Sequence, residues 1–193
     1  MLRTSLLAVL VSGVMISGVQ AAEIQPNGYL FGNIGQTETD LSDFEDMGLS
    51  TDEDSTAYKV GAGVQLNRYV GLEFQYADLG EVSASLPGIS ADISAKVLGA
   101  NVVATLPLDR FKLYGKVGYH QVESEWKVKL GGTTLGKGED DNNVTSFAIG
   151  AAYALTPQFE VVAEFERYQD VGDKDETGEA DVDFASIGLR YNF

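Results

Sequence analysis

The chain has 193 residues, a formal net charge of −16 and no cysteine. Its length suits one domain of ordinary size, and the lack of cysteine excludes a disulfide framework, a thiol nucleophile and a thiolate metal site. The acidic balance argues against nucleic acid as a partner, because neutralising phosphates requires a basic surface. Nine tyrosines, nine phenylalanines and 22 glycines distinguish the chain from acidic, aromatic-poor disordered sequences.

The first 21 residues, MLRTSLLAVLVSGVMISGVQA, have the pattern of a secretory signal peptide. Arg3 supplies an early positive charge, residues 6–19 are apolar, and small residues frame a cleavage site at Ala21, with Ala22 as a neighbouring choice. An uncleaved membrane anchor is the alternative, but the apolar stretch is short for a helical span. We therefore expect a signal peptide over residues 1–21 and a mature exported domain over residues 22–193.

The rest of the chain contains eight segments in which apolar residues alternate with small or polar ones. Such period-2 alternation is typical of β-strands. The segments approach the roughly 9–11 residues that a tilted strand needs to cross a bilayer, whereas soluble strands average about 5–6 residues. The eight segments are 27–36, 57–66, 69–79, 96–106, 111–122, 146–155, 159–168 and 183–193.

The connections between these segments alternate in length. Three are short turns built on Asn or Pro, at 67–69, 107–110 and 156–158. Four are long and mostly acid-rich: 37–54, 80–94, 131–142 and 170–181. This alternation predicts an all-β fold, an eight-stranded antiparallel up-and-down transmembrane β-barrel with short periplasmic turns and acidic extracellular loops.

Alternation alone fits either a membrane barrel or a soluble lipocalin-like binder, which differ in which face lies inside. Glycines on the polar face favour the membrane barrel, because a narrow eight-stranded interior needs small residues beside long charged ones. The polar face also carries both signs of charge, as a closed interior with ion pairs requires. The alternation leaves the faces of 29–36 and 96–106 unassigned. The predicted lumen charge network comprises Lys59, Glu73, Lys112, Lys116, Glu160, Glu164, Glu166 and Arg190.

Aromatic residues gather beside the predicted short turns and at the C-terminus. Amphipathic rings at strand ends are typical of the aromatic girdle that lies at headgroup level. The predicted girdle comprises Tyr69, Phe111, Tyr153, Phe159, Tyr191 and Phe193.

Four stretches, in order along the chain, resemble the transmembrane domain of the outer membrane protein A family of small barrels. They are NRYVGLEFQYADLGEV (67–82), LPLDRFKLYGKVGY (106–119), YALTPQFEVVAEFERYQDVGD (153–173) and SIGLRYNF (186–193). The resemblance implies an eight-stranded barrel in the Gram-negative outer membrane. It also implies that the C-terminal aromatic, Phe193, serves as a signal read by the barrel assembly machinery.

The sequence departs from this family in two ways. The family's namesake continues into a periplasmic peptidoglycan-binding domain, whereas this chain ends with the barrel segments, so we expect no tethering to the cell wall. Glu73 falls where the family places a lumen glutamate, but Glu164 falls where a relative has a basic residue. These two carboxylates would repel, so Lys116, Arg190 or Lys59 must rebuild any gate between them. Arg190 is expected to point inward, toward Glu73 or Glu164.

Catalytic and metal sites are not expected. His120 is the only histidine, and it is interpreted as a hydrogen-bonded residue of the lumen wall because no triad spacing accompanies it. DKDETG (173–178) matches only the start of a calcium loop, since Phe184 occupies the twelfth position instead of glutamate. We expect no enzyme activity, no cofactor and no bound metal.

Together these patterns predict an integral outer-membrane protein with a structural or surface role. Its lumen is expected to be plugged, or to pass only small solutes. The expected partners are outer-membrane lipid, lipopolysaccharide and the barrel assembly machinery, with no nucleic acid. A surface adhesin or ligand-binding barrel, acting through an extracellular ligand at the loops, and a soluble lipocalin-like binder remain as alternatives.

Overall fold

The structure is a computed structural model that describes residues 26–39, 50–51, 54–86, 89–130, 133–173 and 178–193. The predicted signal peptide lies outside the described residues. So do most of the first acidic connection and four residues of the DKDETG stretch.

Eight antiparallel strands form a closed barrel, as the alternation predicts. Each strand pairs with its neighbours in sequence, and β1 also pairs with β8, which closes the sheet. A two-residue strand, Ser50–Thr51, pairs with the outer part of β3. The barrel strands are β1 (Asn27–Thr39), β2 (Asp54–Gln65), β3 (Val70–Leu86), β4 (Ile89–Leu108), β5 (Phe111–Leu130), β6 (Thr133–Ala154), β7 (Phe159–Asp173) and β8 (Gly178–Asn192).

Side-chain hydrogen bonds shape the short turns at one end of the barrel. The Asn67 side chain accepts hydrogen bonds from the backbone amides of Tyr69 and Val70. The Thr156 hydroxyl accepts from the amide of Phe159 in the same way. Asp109 adopts a positive φ of 58° between β4 and β5, a conformation that Asp tolerates better than most residues. These local bonds fix where the strands reverse.

At the other end of the barrel, the strands continue into the stretches that the sequence assigned to long connections. The polar stretches 80–94, 131–142 and 170–181 are mostly strand, because β3 continues to Leu86, β5 to Leu130 and β7 to Asp173. The backbones of neighbouring strands can pair in water without an apolar face. The strands therefore continue beyond the residues at which apolar and polar side chains stop alternating. The barrel wall therefore rises beyond its apolar band as extended β-hairpins.

The outer surface of the barrel is apolar. Large side chains that project outward include Leu30, Phe74, Val102, Val117, Ile149 and Ile187. Within this apolar band, the charged residues Glu73, Lys116 and Arg190 of the same strands are buried in the interior, so the soluble lipocalin-like alternative is wrong. Among the described residues, no helix is both long and apolar enough to cross a membrane.

The structure shows which faces of residues 29–36 and 96–106 lie inside the barrel, which the alternation left unassigned. In β1, Tyr29, Phe31 and Asn33 are buried in the interior while Leu30 and Ile34 are exposed. In β4 the buried residues include Val97, Asn101 and Val103. Both strands thus bring apolar and polar side chains into the same interior.

Candidate functional site

The barrel interior contains two layers of different chemistry. Toward the short turns lies a charged layer, formed by Lys59, Glu73, Lys112, Lys116, Glu160, Glu164, Glu166 and Arg190. Toward the extended hairpins lies an apolar layer, formed by Ala57, Ala77, Leu79, Val97, Val122, Val144, Tyr168, Val182 and Phe184. All eight predicted network residues fall in the charged layer. Their formal charges cancel, with four cations and four carboxylates.

Lys116 lies at the centre of the charged layer. Its Nζ is 2.5 Å from Glu73 Oε2 and 2.6 Å from Glu164 Oε2, and all three side chains are almost inaccessible to solvent. The ammonium group therefore separates the two carboxylates that would otherwise repel each other. Lys116 was one of the three residues from which the sequence predicted that this contact would be rebuilt.

Lys59 connects Glu164 to Glu166. Its ammonium pairs with Glu164 and lies 2.6 Å from Glu166 Oε2. Glu166 also accepts hydrogen bonds from the Gln75 amide, the Ser146 hydroxyl and the Tyr168 hydroxyl. A buried carboxylate is stable only when such donors replace its lost hydration, and Glu166 has four of them.

Arg190 points inward and pairs with Glu73, at 3.2 Å, and with Glu160, at 3.6 Å. Its guanidinium also lies 4.5 Å from the centre of the Tyr29 ring, within the range of a cation–π contact. Glu164, the other partner considered from the sequence, pairs instead with the two lysines. Lys112 reaches Glu160 from the mouth of the barrel, where a third of its side chain remains exposed.

Tyrosines complete the charged layer, and the predicted network did not include them. The Tyr29 hydroxyl donates to Glu73 at 2.8 Å, and the Tyr114 hydroxyl donates to Glu164 at 2.8 Å. A Cβ added at Gly63 would collide with the Tyr29 ring, and one at Gly150 would collide with the Tyr114 ring. The interior glycines thus make room for aromatic rings on neighbouring strands, whereas the sequence argument assigned that space to charged side chains.

His120 is fully buried in the wall between the two layers. Its Nε2 lies 2.8 Å from the Ser146 hydroxyl, and its ring meets Tyr168 edge-on. Because the Ser146 hydroxyl donates its single proton to Glu166, His120 Nε2 donates to the serine oxygen. This polarity is the reverse of a serine nucleophile activated by a histidine base.

The six girdle residues project from the barrel near the short turns. Phe111 packs against Tyr153 with ring centres 4.7 Å apart, and Tyr191 packs against both Phe159 and Phe193. All six side chains, Tyr69 included, are at least one-third exposed. The amide of Phe193 donates to the carbonyl oxygen of Gly28, so the C-terminus takes part in the seam between β8 and β1.

Within the described part of the chain, no group of three or more histidine, cysteine or acidic residues has the arrangement of a metal site.

A closed eight-stranded barrel with an apolar exterior and a charged interior defines a small integral outer-membrane protein. The chain matches the family model of the outer membrane protein beta-barrel domain over residues 6–193, and it belongs to that family. It is a protein of the Gram-negative outer membrane, as the resemblance implied.

Curated relatives agree with this assignment. Outer membrane protein A of Shigella flexneri is 25% identical over 176 residues, and that of Escherichia coli O157:H7 is 26% identical over 178 residues. Each alignment covers 90% of this chain, but only 51% and 50% of the relative. The chain thus spans about half the length of the curated relatives that it matches.

Solved structures share the fold at low identity. Neisserial surface protein A superposes with a TM-score of 0.61 at 16% identity, covering 86% of this chain and 97% of that chain. Ail, the attachment invasion locus protein of Yersinia pestis, gives 0.54 at 14% identity, covering 89% and 100%. The N-terminal barrel of OprF from Pseudomonas aeruginosa gives 0.54 at 14% identity, covering 88% and 100%.

Proposed function

We propose that this protein is a non-enzymatic structural barrel of the outer membrane with a plugged lumen. The observation that carries the proposal is the pairing of Lys116 with both Glu73 and Glu164 across the barrel interior. Together with Lys59, Arg190 and the tyrosines, this pairing fills the narrow interior with side chains. The apolar layer lies above it, and dry apolar packing opposes the passage of hydrated ions.

The conductance of single molecules tests the plug. Protein refolded in detergent and added to planar bilayers is expected to give no sustained current, while a general porin in the same apparatus serves as the positive control. Insertion is verified separately by the slower or faster gel mobility of unheated compared with boiled protein. A sustained current from folded, inserted protein would contradict the plugged lumen.

An adhesive role for the extended hairpins is the second candidate, and a specific observation limits it. Ail has been crystallised with the heparin analogue sucrose octasulfate. This chain carries a net charge of −16, and its outer strand ends are rich in Asp and Glu. Acidic hairpins repel a polysulfated sugar, so we expect no measurable binding of sucrose octasulfate to the refolded protein.

The remaining roles follow from the family and the exposed surface. We propose that the apolar band contacts outer-membrane lipid and lipopolysaccharide, and that residues 1–21 direct export. We further propose that Phe193 acts as the assembly signal. Phe193→Ser should slow membrane insertion in cells, measured as the fraction of heat-modifiable protein, while refolding in detergent proceeds normally. Equal insertion of both forms in cells would contradict the signal.

A further inference from the structure

A polar pocket lies on the outer wall of the barrel, where the apolar band ends on the side of the extended hairpins. It has a volume of about 460 Å³ and spans β3 to β6. The strand register places its charged residues in one row, with Lys96 opposite Glu123 and Glu123 opposite Asp141. One cation thus stands beside two carboxylates. The lining of the polar pocket includes Tyr76, Lys96, Leu98, Gln121, Glu123 and Asp141.

An apolar groove begins where the polar pocket ends. It lies on the outer faces of β1 to β4, has a volume of about 460 Å³, and continues down the lipid-facing band. Ala62 forms its floor, because the register places this small side chain between Leu30 on β1 and Phe74 on β3. The lining of the apolar groove includes Leu30, Val60, Ala62, Phe74, Tyr76 and Leu98.

Tyr76 and Leu98 join the two cavities. Both residues line the polar pocket and the apolar groove, and they lie directly opposite each other on β3 and β4. Tyr76 presents a hydroxyl as well as a ring, which suits the boundary between headgroups and hydrocarbon. A charged pocket that continues into an apolar groove at this depth has the two-part shape of one lipid molecule, with the headgroup above and an acyl chain below.

The charges of the polar pocket select the headgroup. Lys96 Nζ lies 3.5 Å from Glu125 Oε1, and both side chains remain partly exposed, so the ammonium group is accessible to a phosphate. A headgroup with phosphate alone would be repelled by Glu123 and Asp141. A headgroup that carries both a phosphate and a primary amine matches the whole row, since the phosphate contacts the lysine and the amine contacts the carboxylates.

We propose that the polar pocket and the apolar groove together bind one lipopolysaccharide molecule whose lipid A carries a phosphoethanolamine group. The site lies at the hairpin end of the apolar band, and therefore in the leaflet that faces outward. An acyl chain lies in the groove over Ala62, Lys96 holds the phosphate, and Glu123 and Asp141 hold the ammonium group. The inference rests on the proposed contact with lipopolysaccharide and names the place on the barrel where one molecule is held.

Native mass spectrometry of the folded full barrel, released from detergent micelles, tests the site. The micelles contain equimolar lipid A with and without phosphoethanolamine, and the two adducts are counted separately by their mass. We expect at least about fivefold more adducts of the modified form, because only its amine pairs with the two carboxylates. Equal adducts of the two forms would overturn the proposal. Displacement of modified lipid A by equimolar phosphatidylethanolamine would assign the site to a glycerophospholipid, with the same consequence.

A pair of double variants tests the polar pocket. Glu123→Gln with Asp141→Asn should bring the ratio of modified to unmodified adducts to about one, because the amine loses both carboxylate partners. The control, Glu38→Gln with Asp109→Asn, removes the same two kinds of carboxylate from exposed positions outside the pocket and should keep the ratio. An equal loss in both double variants would mean attraction by overall charge and would refute the pocket.

A matched pair of variants tests the apolar groove. Ala62→Phe fills its floor and should cut the adducts of modified lipid A about fivefold, because the acyl chain loses its packing contacts. Ala163→Phe makes the same change at an exposed position on β7, across the barrel from β3, and should change them less than about twofold. Equal binding by both variants would refute the groove.

The outcomes separate this site from the proposed function. The gel mobility of unheated protein verifies that each variant is folded. Lipid A adducts without a preference for the modified form would overturn the site and leave the general lipid contact of the apolar band standing. None of these measurements bears on the conductance test, so the plugged lumen and the lipid site fail independently.

Discussion

The two layers of the barrel interior bury side chains by opposite means. In the charged layer, every carboxylate pairs with a cation supplied by another strand. In the apolar layer, built by the outer parts of largely the same strands, aliphatic and aromatic side chains pack together. Loss of a group from the first layer leaves its partner orphaned in a low-dielectric interior, whereas loss from the second leaves only a void. A single substitution should therefore lower the free energy of unfolding most in the charged layer, and four predictions test this comparison.

The largest effect is expected from Lys116→Met, which keeps the length of the side chain and removes its charge. Glu73 and Glu164 would then face each other without the ammonium group, and the free energy of unfolding should fall by about 3–5 kcal/mol. Urea titration in lipid vesicles, followed by the mobility of unheated protein on gels, measures it. The control is Lys112→Met at the partly exposed mouth, which should cost about 1 kcal/mol or less. If Lys116→Met and Lys112→Met lowered the free energy of unfolding by similar amounts, the distinction between buried and solvated ion pairs would be wrong.

Arg190→Leu should destabilise the barrel by about 3 kcal/mol, because Glu73 and Glu160 lose a shared partner. The same urea titration applies. Adding Glu160→Gln to this variant should recover part of the loss, since one uncompensated charge is removed. A double variant that is less stable than the single one would contradict this account of Arg190.

Val122→Thr probes whether the apolar layer is dry. The change preserves volume but places a hydroxyl among apolar side chains, which should lower the free energy of unfolding by about 2 kcal/mol. Val122 is fully buried, so water cannot compensate from outside. An unchanged stability would show that water enters this layer, and the contrast with the charged layer would fail.

The smallest effect is expected outside the barrel interior, at the exposed pair of Arg167 and Asp183. Arg167→Gln should change the free energy of unfolding by about 0.5 kcal/mol at low ionic strength. The difference should shrink as salt is added, because exposed charges are screened. A large, salt-independent loss would mean that this surface pair behaves like the buried ones.

The sequence predicted the strand ends well on one side of the membrane only. The predicted starts at residues 111 and 159 coincide with the starts of β5 and β7, because Asp and Thr in the preceding short turns have recognisable turn chemistry. The predicted ends at residues 79 and 122 fall short of Leu86 and Leu130. Outside the lipid both faces of a strand are polar, so alternation stops while backbone pairing continues.

The interior was predicted in part for a similar reason. Alternation with period two was enough to assign Lys59, Glu73 and Arg190 to the inner face. It did not assign Tyr29, because Tyr is amphipathic and fits either face of a membrane strand. The glycines were recognised as space-making residues, but which side chains fill that space depends on the neighbouring strand.

The sequence by itself determined the number of strands, the inverted arrangement of apolar and charged faces, and the balance of charges inside. Only the tertiary structure decided that Lys116 lies between Glu73 and Glu164 and that Arg190 pairs with Glu73. Periodicity is a property of each strand alone, whereas a contact depends on the register and closure of strands far apart in the chain. Arg190 and Glu73 are 117 residues apart in sequence, and closure of the barrel brings them together.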